Sequence, residues 1–442
     1  MRTTWKAGAI AGLALSLFAI APAGATPKGG PPASAGNRLV VNTVADTPDA
    51  KPDGRCADAA GLCSLRAAVQ TANERNGLVT IDVPEGAYAL TGEDLDVTRR
   101  VRILATGAVI QPSGIRAFDV VPGGDLALHG ATITGGIADD GGVLGNSGGA
   151  ILNQGTLLVD GVTITENAAV RAGGAIEATA GSRTTILRSV LSDNDTGGTP
   201  GNGGAFHLTG AGTVDIVDSE ITGNSAQNEG GGVWNSNAGT MTISGTLIEG
   251  NTAAGNGARN GGGGVFQQGI VEGGPSTGTI AISGSTIRDN HATGTAGSGG
   301  GILNVEGVVT VVDTLIEGNT APRAGGGIEI AGSDVAADRV ELTRVTLVDN
   351  TTGANPGNGG GLHLTGPGTV LVDDSVVTGN DAANEGGGLW NSIAGTMTVT
   401  DTVIAGNTAP TGPNVFQQGA VAGGFTVDGQ VVPTGQNTLV FS

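Results

Sequence analysis

The sequence predicts an all-β chain wound as a parallel β-helix, and three observations carry that expectation. The first is self-similarity: GTVLVDDSVVTGNDAANEGGGLWN, from Gly368 to Asn391, lies over GTVDIVDSEITGNSAQNEGGGVWN, from Gly212 to Asn235. Looser copies begin at Gly155, Gly181, Gly239, Gly278, Gly307 and Asp338. A repeat of this length marks a solenoid. The second is strand-type alternation inside the copies, with Val214 and Ile216, Met241 and Ile243, and Met397 and Val399 placed to bury one face. The third is composition: 83 of the 442 residues are glycine, and each glycine inside a helix would cost about 0.5–1 kcal/mol, so a helical solenoid is disfavoured. The Leu/Asn spacing of leucine-rich repeats and the calcium-binding nonapeptide are both missing.

Within one copy, the alternating run is followed by a small corner and a second short run centred on Ile164, Ile221, Ile248, Ile287, Ile316 or Ile404. Each copy then turns at an asparagine: Asn167, Asn194, Asn224, Asn251, Asn290, Asn319, Asn350, Asn380 and Asn407. A small residue two positions later can tuck under that turn, and a loop of varying length leads through Gly-Gly to a third strand. The expectation is three strands and three corners per coil. The asparagines should stack from coil to coil as a hydrogen-bonded ladder with a purely structural role.

Ahead of the repeats, Arg2 and Lys6, the apolar run from Ala7 to Ile20 and the small residues Ala23-Gly24-Ala25 read as a signal peptide over 1–25. That apolar run is too short to span a bilayer, which needs about 20 residues. The mature chain is therefore expected to be secreted or displayed at the cell surface. Residues 26–37 form a Pro/Gly-rich linker. Residues 38–122 have their own composition and contain both cysteines, Cys56 and Cys63, which in an exported chain read as a disulfide. A metal half-site is the weaker alternative, since no second pair stands nearby. SLRAAVQTANERNG is the one convincing helix, with Ser64 as N-cap, Leu65, Ala68, Val69 and Ala72 on one face and Gly77 as its stop. It is expected to cap the first coil. The repeats occupy 123–424 and a C-terminal cap 425–442.

The stretch VNTVADTPDAKPDGRCADAAGLCSLRAAVQTAN, followed by VTIDVPEGAYAL, resembles the CSLREA domain that begins many secreted bacterial β-helix proteins, over about Leu39 to Leu90. The family's glutamate is Ala67 here, which removes the partner that would close a capping box with Ser64. VIAGNTAPTGPNVFQQG with GQNTLV resembles the terminal coil of choice-of-anchor β-helix proteins. The GGAI and GGAF tetrapeptides at Gly148, Gly173 and Gly203 resemble those of polymorphic outer-membrane proteins, without their FxxN companion. These resemblances imply a right-handed parallel β-helix and an extracellular address. They imply no reaction.

The formal net charge of −20 excludes nucleic acid and anionic membrane as expected partners, because both require a basic surface. Arg99, Arg100, Arg102 and Arg116 form a local basic cluster expected to balance nearby acids. The carboxylates are too dispersed to name a metal site, no cofactor is implied, and a monomer is expected.

Above the coil lies a second period. His207, Trp234 and Met241 recur as His363, Trp390 and Met397, each 156 positions later. Two five-coil blocks, about 148–298 and 299–424, are thus copies of one another. Strand alternation sends the residue after each inward apolar residue of the third strand outward. Read along the axis those residues are Leu152, Glu177, His207, Trp234, Phe266, Leu303, Glu329, His363, Trp390 and Phe416. With coils about 4.8 Å apart, Glu, His, Trp and Phe become successive neighbours twice, roughly 24 Å apart.

Three functions are open. Glu177, His207, Trp234, Phe266, Glu329, His363, Trp390 and Phe416 are candidate ligand contacts of a binding or cell-surface interaction module, with an extended polysaccharide as ligand. The same stripe could serve a polysaccharide lyase or glycoside hydrolase, with His207 and Glu177 as an acid/base couple and Glu229 or Glu385 nearby. Hydrolysis wants two carboxylates about 5–9.5 Å apart, however, and Glu177 and Glu329 are five coils apart. The third is a structural spacer whose aromatics pack on one another.

Overall fold

The computed structural model describes residues 36–269, 276–332, 338–419 and 424–435. The expected signal peptide, most of the linker and the last part of the C-terminal cap lie outside the described residues.

The chain is a parallel β-solenoid. A representative coil runs through strands Thr213–Val217, Glu220–Thr222, Ser225–Ala226 and Val233–Asn235, and each pairs in parallel with its counterpart one coil on. Stacked coils build sheets of 15, 12, 12 and 9 strands among the described residues. The fourth sheet corrects the expected three strands per coil. The small residue after each asparagine does not merely tuck under a turn; Ala226 is the buried, inward residue of a two-residue strand. Inside, like residues stack on like, as Ile216 pairs with Ile243 and Ile221 with Ile248, all fully buried.

The asparagine ladder forms as expected. Nδ2 of Asn167 donates to Oδ1 of Asn194, and the same bond at 2.9–3.0 Å links Asn194, Asn224, Asn251, Asn290, Asn319, Asn350, Asn380 and Asn407 in turn. The ladder ends within its last coil, where Asn407 donates to Asn414 at 3.2 Å. The Gly-Gly entrance to the stripe-bearing strands has a steric cause. Gly230 has φ +64°, and a Cβ on Gly231 would lie 2.4 Å from the carbonyl oxygen of Gly263 in the next coil.

The N-terminal region joins the same architecture. Strands Arg38–Val40, Val79–Asp82, Arg100–Leu104 and Asp125–His129 are consecutive in the 15-stranded sheet. Helix α1, Leu65–Glu74, starts at Ser64, whose hydroxyl accepts from the Ala67 amide at 2.9 Å, a cap that forms with alanine at position 67. The helix stops at Glu74, ahead of Gly77. Its Asn73 donates to the Asp96 carbonyl and accepts from the Thr98 amide, supplying bonds that the edge of the first coil lacks. Cys56 and Cys63 are disulfide-bonded. Within the basic cluster, Arg100 pairs with Asp125 and Arg116 with Asp94. At the other end, Phe425–Val427 and Gln430–Val431 pair antiparallel and close the long sheet.

Candidate functional site

The stripe has the register read from the sequence. Leu152, Glu177, His207, Trp234, Phe266, Leu303, Glu329, His363, Trp390 and Phe416 are successive Cα partners along one sheet. These side chains leave the main core, as alternation requires; Trp234, Phe266 and Leu303 form a separate apolar cluster with Val305 and Ala331. They are nevertheless covered. The eight candidate contacts are between 0% and 6% exposed, which is the packed, covered arrangement and not the open groove.

A neighbouring column of residues supplies the cover. Asn202, Glu229, Gly261, Ser298, Ala324, Asn358, Glu385 and Thr411 bridge from coil to coil beside the stripe. From this column Glu229 accepts the Trp234 indole N–H at 3.1 Å, and Glu385 accepts that of Trp390 at 3.0 Å. Arg171 and Arg323, just ahead of the column, lie 3.8 Å from Glu177 and 3.3 Å from Glu329.

Each copy ties its glutamate to a histidine and a threonine, though the buried Nε2 of His363 has no hydrogen-bond partner. His207 Nδ1 lies 2.8 Å from Glu177 Oε2, while Thr209 donates to Glu177 Oε1 at 2.7 Å. His363, Glu329 and Thr365 repeat this at 2.8 Å and 2.8 Å. Trp234 has His207 on one side, at 4.1 Å between ring centroids, and Phe266 on the other, at 5.9 Å. Trp390 is held likewise between His363 and Phe416. A sugar stacking on indole needs a free ring face, and both faces of each indole are occupied.

Beside the first indole the chain carries polar groups that the second copy lacks. In the first copy Asn260 donates to the second oxygen of Glu229 at 2.5 Å, and Arg259 pairs with Glu306. Burial pushes the Glu229 carboxyl up, against the lowering effect of its bonds to Trp234 and Asn260. Here a cleft of about 400 Å³ opens, lined by Glu229, Arg259, Asn260, Phe266, Gln268, Gly269, Val305 and Glu306. Sequence reasoning placed Glu229 near the stripe but missed Arg259, Asn260 and Glu306; the longer loop ahead of Gly261 was the only signal for the first two, and Glu306 had none.

Asp338 was missed as well. It is 1% exposed and neither carboxylate oxygen has a hydrogen-bond partner. Burial, then the neighbouring charge of Glu306, pushes its pKa up to about 8, with Arg259 pulling the other way. Its signal was legible: Asp338 begins its copy where the copies on either side begin with Gly307 and Gly368.

Among the described residues, no group of three or more His, Cys, Asp or Glu side chains is placed to hold a metal ion, and no helix is long and apolar enough to cross a membrane. No protein-family model, curated protein or solved structure matches the chain.

Proposed function

We propose that the chain is a secreted or cell-surface β-solenoid of the CSLREA-domain type that binds an extended glycan, and that the contact is made on the stripe-bearing side. The cleft beside Phe266 supports this reading: an aromatic and aliphatic floor is ringed by carboxylate, guanidinium and amide groups held in fixed directions, a mixture suited to an amphipathic, hydroxyl-rich ligand. The buried stripe then acts as the rigid floor that fixes the rim, while the ligand touches the rim.

A chain beginning at Thr26 should be titrated calorimetrically with plant, algal and bacterial-wall polysaccharides, and the same samples assayed for new sugar ends. Saturable heat without product supports a binding module. Product formation would instead make the cleft catalytic. No binding across the panel would leave the structural spacer, a reading that the burial of the stripe favours.

A further inference from the structure

We infer that the cleft beside Phe266 selects an uncharged saccharide unit of one or two rings, with Glu229 and Asn260 determining specificity. This rests on the glycan reading above and adds the class of sugar. The volume, about 400 Å³, lies near the lower end of small-ligand sites, roughly 300–1,000 Å³.

The polar groups are directional. One Glu229 oxygen accepts from Trp234 and the other from Asn260, which locks the carboxylate plane and leaves about one lone pair on each oxygen. A locked carboxylate of this kind can accept from two adjacent sugar hydroxyls at once. Asn260 keeps its carbonyl oxygen and second N–H for a ligand, while Phe266 and Val305, both buried, support the rim from beneath.

Charge decides the class. The lining carries two carboxylates, Glu229 and Glu306, against one guanidinium, Arg259, and that guanidinium is already paired with Glu306. A uronate or sulfated sugar would meet unpaired negative charge at close range, where like charges repel. The chain's net charge of −20 adds a repelling field at longer range.

The second copy supplies an internal control. Trp390 and Glu385 repeat the indole-to-carboxylate bond. The segment between the two bridging columns, however, runs from Thr408 to Thr411, where the first copy runs from Thr252 to Gly261. It is six residues shorter and has no counterpart of Arg259 or Asn260.

The test is calorimetric titration of the chain from Thr26 with neutral gluco-, manno- and xylo-oligosaccharides and with oligouronates of matched length. Glu229→Gln, Asn260→Ala and Glu385→Gln would be compared, after thermal melts show that all three are folded. The expected result is binding of a neutral oligosaccharide, weakened about ten-fold or more by Glu229→Gln and by Asn260→Ala, and unchanged by Glu385→Gln. Tighter binding of oligouronates would overturn the inference. So would glycan binding that Glu229→Gln weakens no more than Glu385→Gln does, and that result would leave the glycan reading standing. No binding of any glycan would sink both.

Discussion

His207 lies flat on Trp234, with ring centroids 4.1 Å apart and planes 20° from parallel, and His363 repeats the arrangement on Trp390 at 4.1 Å and 21°. In-register parallel strands set this contact, since they hold equivalent side chains of successive coils about 4.8 Å apart. The imidazole is tied at Nδ1 to a glutamate on the preceding coil, and the indole N–H to a glutamate in the flanking column. Ring packing and hydrogen bonding therefore fix one another.

Both indoles should accordingly report a dry environment. A chain beginning at Thr26 has Trp234 and Trp390 as its only tryptophans, and each is 4% exposed. Its emission should be that of buried indole, with little quenching by iodide or acrylamide until the protein is denatured. Solvent-exposed emission from the folded chain would show that the cover over the stripe opens.

Removing one ring should cost far more than removing one surface contact. Trp234→Ala is expected to destabilise the chain by about 3–5 kcal/mol, because it also leaves Glu229 without one of its donors and uncovers His207 and Phe266. Trp234→Phe should recover much of the packing without the hydrogen bond. Denaturant unfolding of the two variants checks the order.

The asparagine ladder predicts a dependence on position. Asn290→Ala in its middle removes bonds from Asn251 Nδ2 and the Asn251 amide, and bonds to Ile248 O and Asn319 Oδ1. All are buried, so a loss of roughly 2–4 kcal/mol is expected. Asn414→Ala at the terminal rung should cost less, because the bonds that Asn414 accepts from Asn407, at 3.3 and 3.2 Å, are longer than the 3.0 and 2.9 Å bonds that Asn290 accepts from Asn251. Equal melting temperatures for the two variants would contradict a cooperative ladder.

Much of this was legible in the sequence because a solenoid writes its contacts as a repeat. Each ladder asparagine and each stripe residue meets its own counterpart, so coil alignment gave the register from Leu152 to Phe416 without knowledge of the fold's dimensions. Burial was not legible. Whether an outward side chain is covered depends on groups from another part of the coil, such as Glu229 and Arg171, whose approach is set by corner angles and loop lengths that vary between copies. The fourth strand was missed because a two-residue strand carries too little alternation to read.

Asp338 gives the pH prediction. In the unfolded chain its carboxyl titrates near 3.8, and in the folded chain near 8. Between these values the folded state holds the proton more tightly, so stability falls as pH rises from about 4 to 8 and is level above that range. The cause is local: ionisation places an unbonded charge in the interior beside Glu306. Asp338→Asn keeps the shape and cannot ionise, and Asp338→Gly restores the residue with which the adjacent copies begin. Both should leave the melting temperature unchanged at pH 4 relative to the parent. Both should raise stability at pH 8.5, by on the order of 2–4 kcal/mol for the asparagine. Melts of parent and variants across this range decide the matter. A parent whose stability is flat from pH 4 to 8, or an asparagine variant no more stable than the parent at pH 8.5, would mean that Asp338 ionises without penalty and has a partner or solvent access in the folded chain.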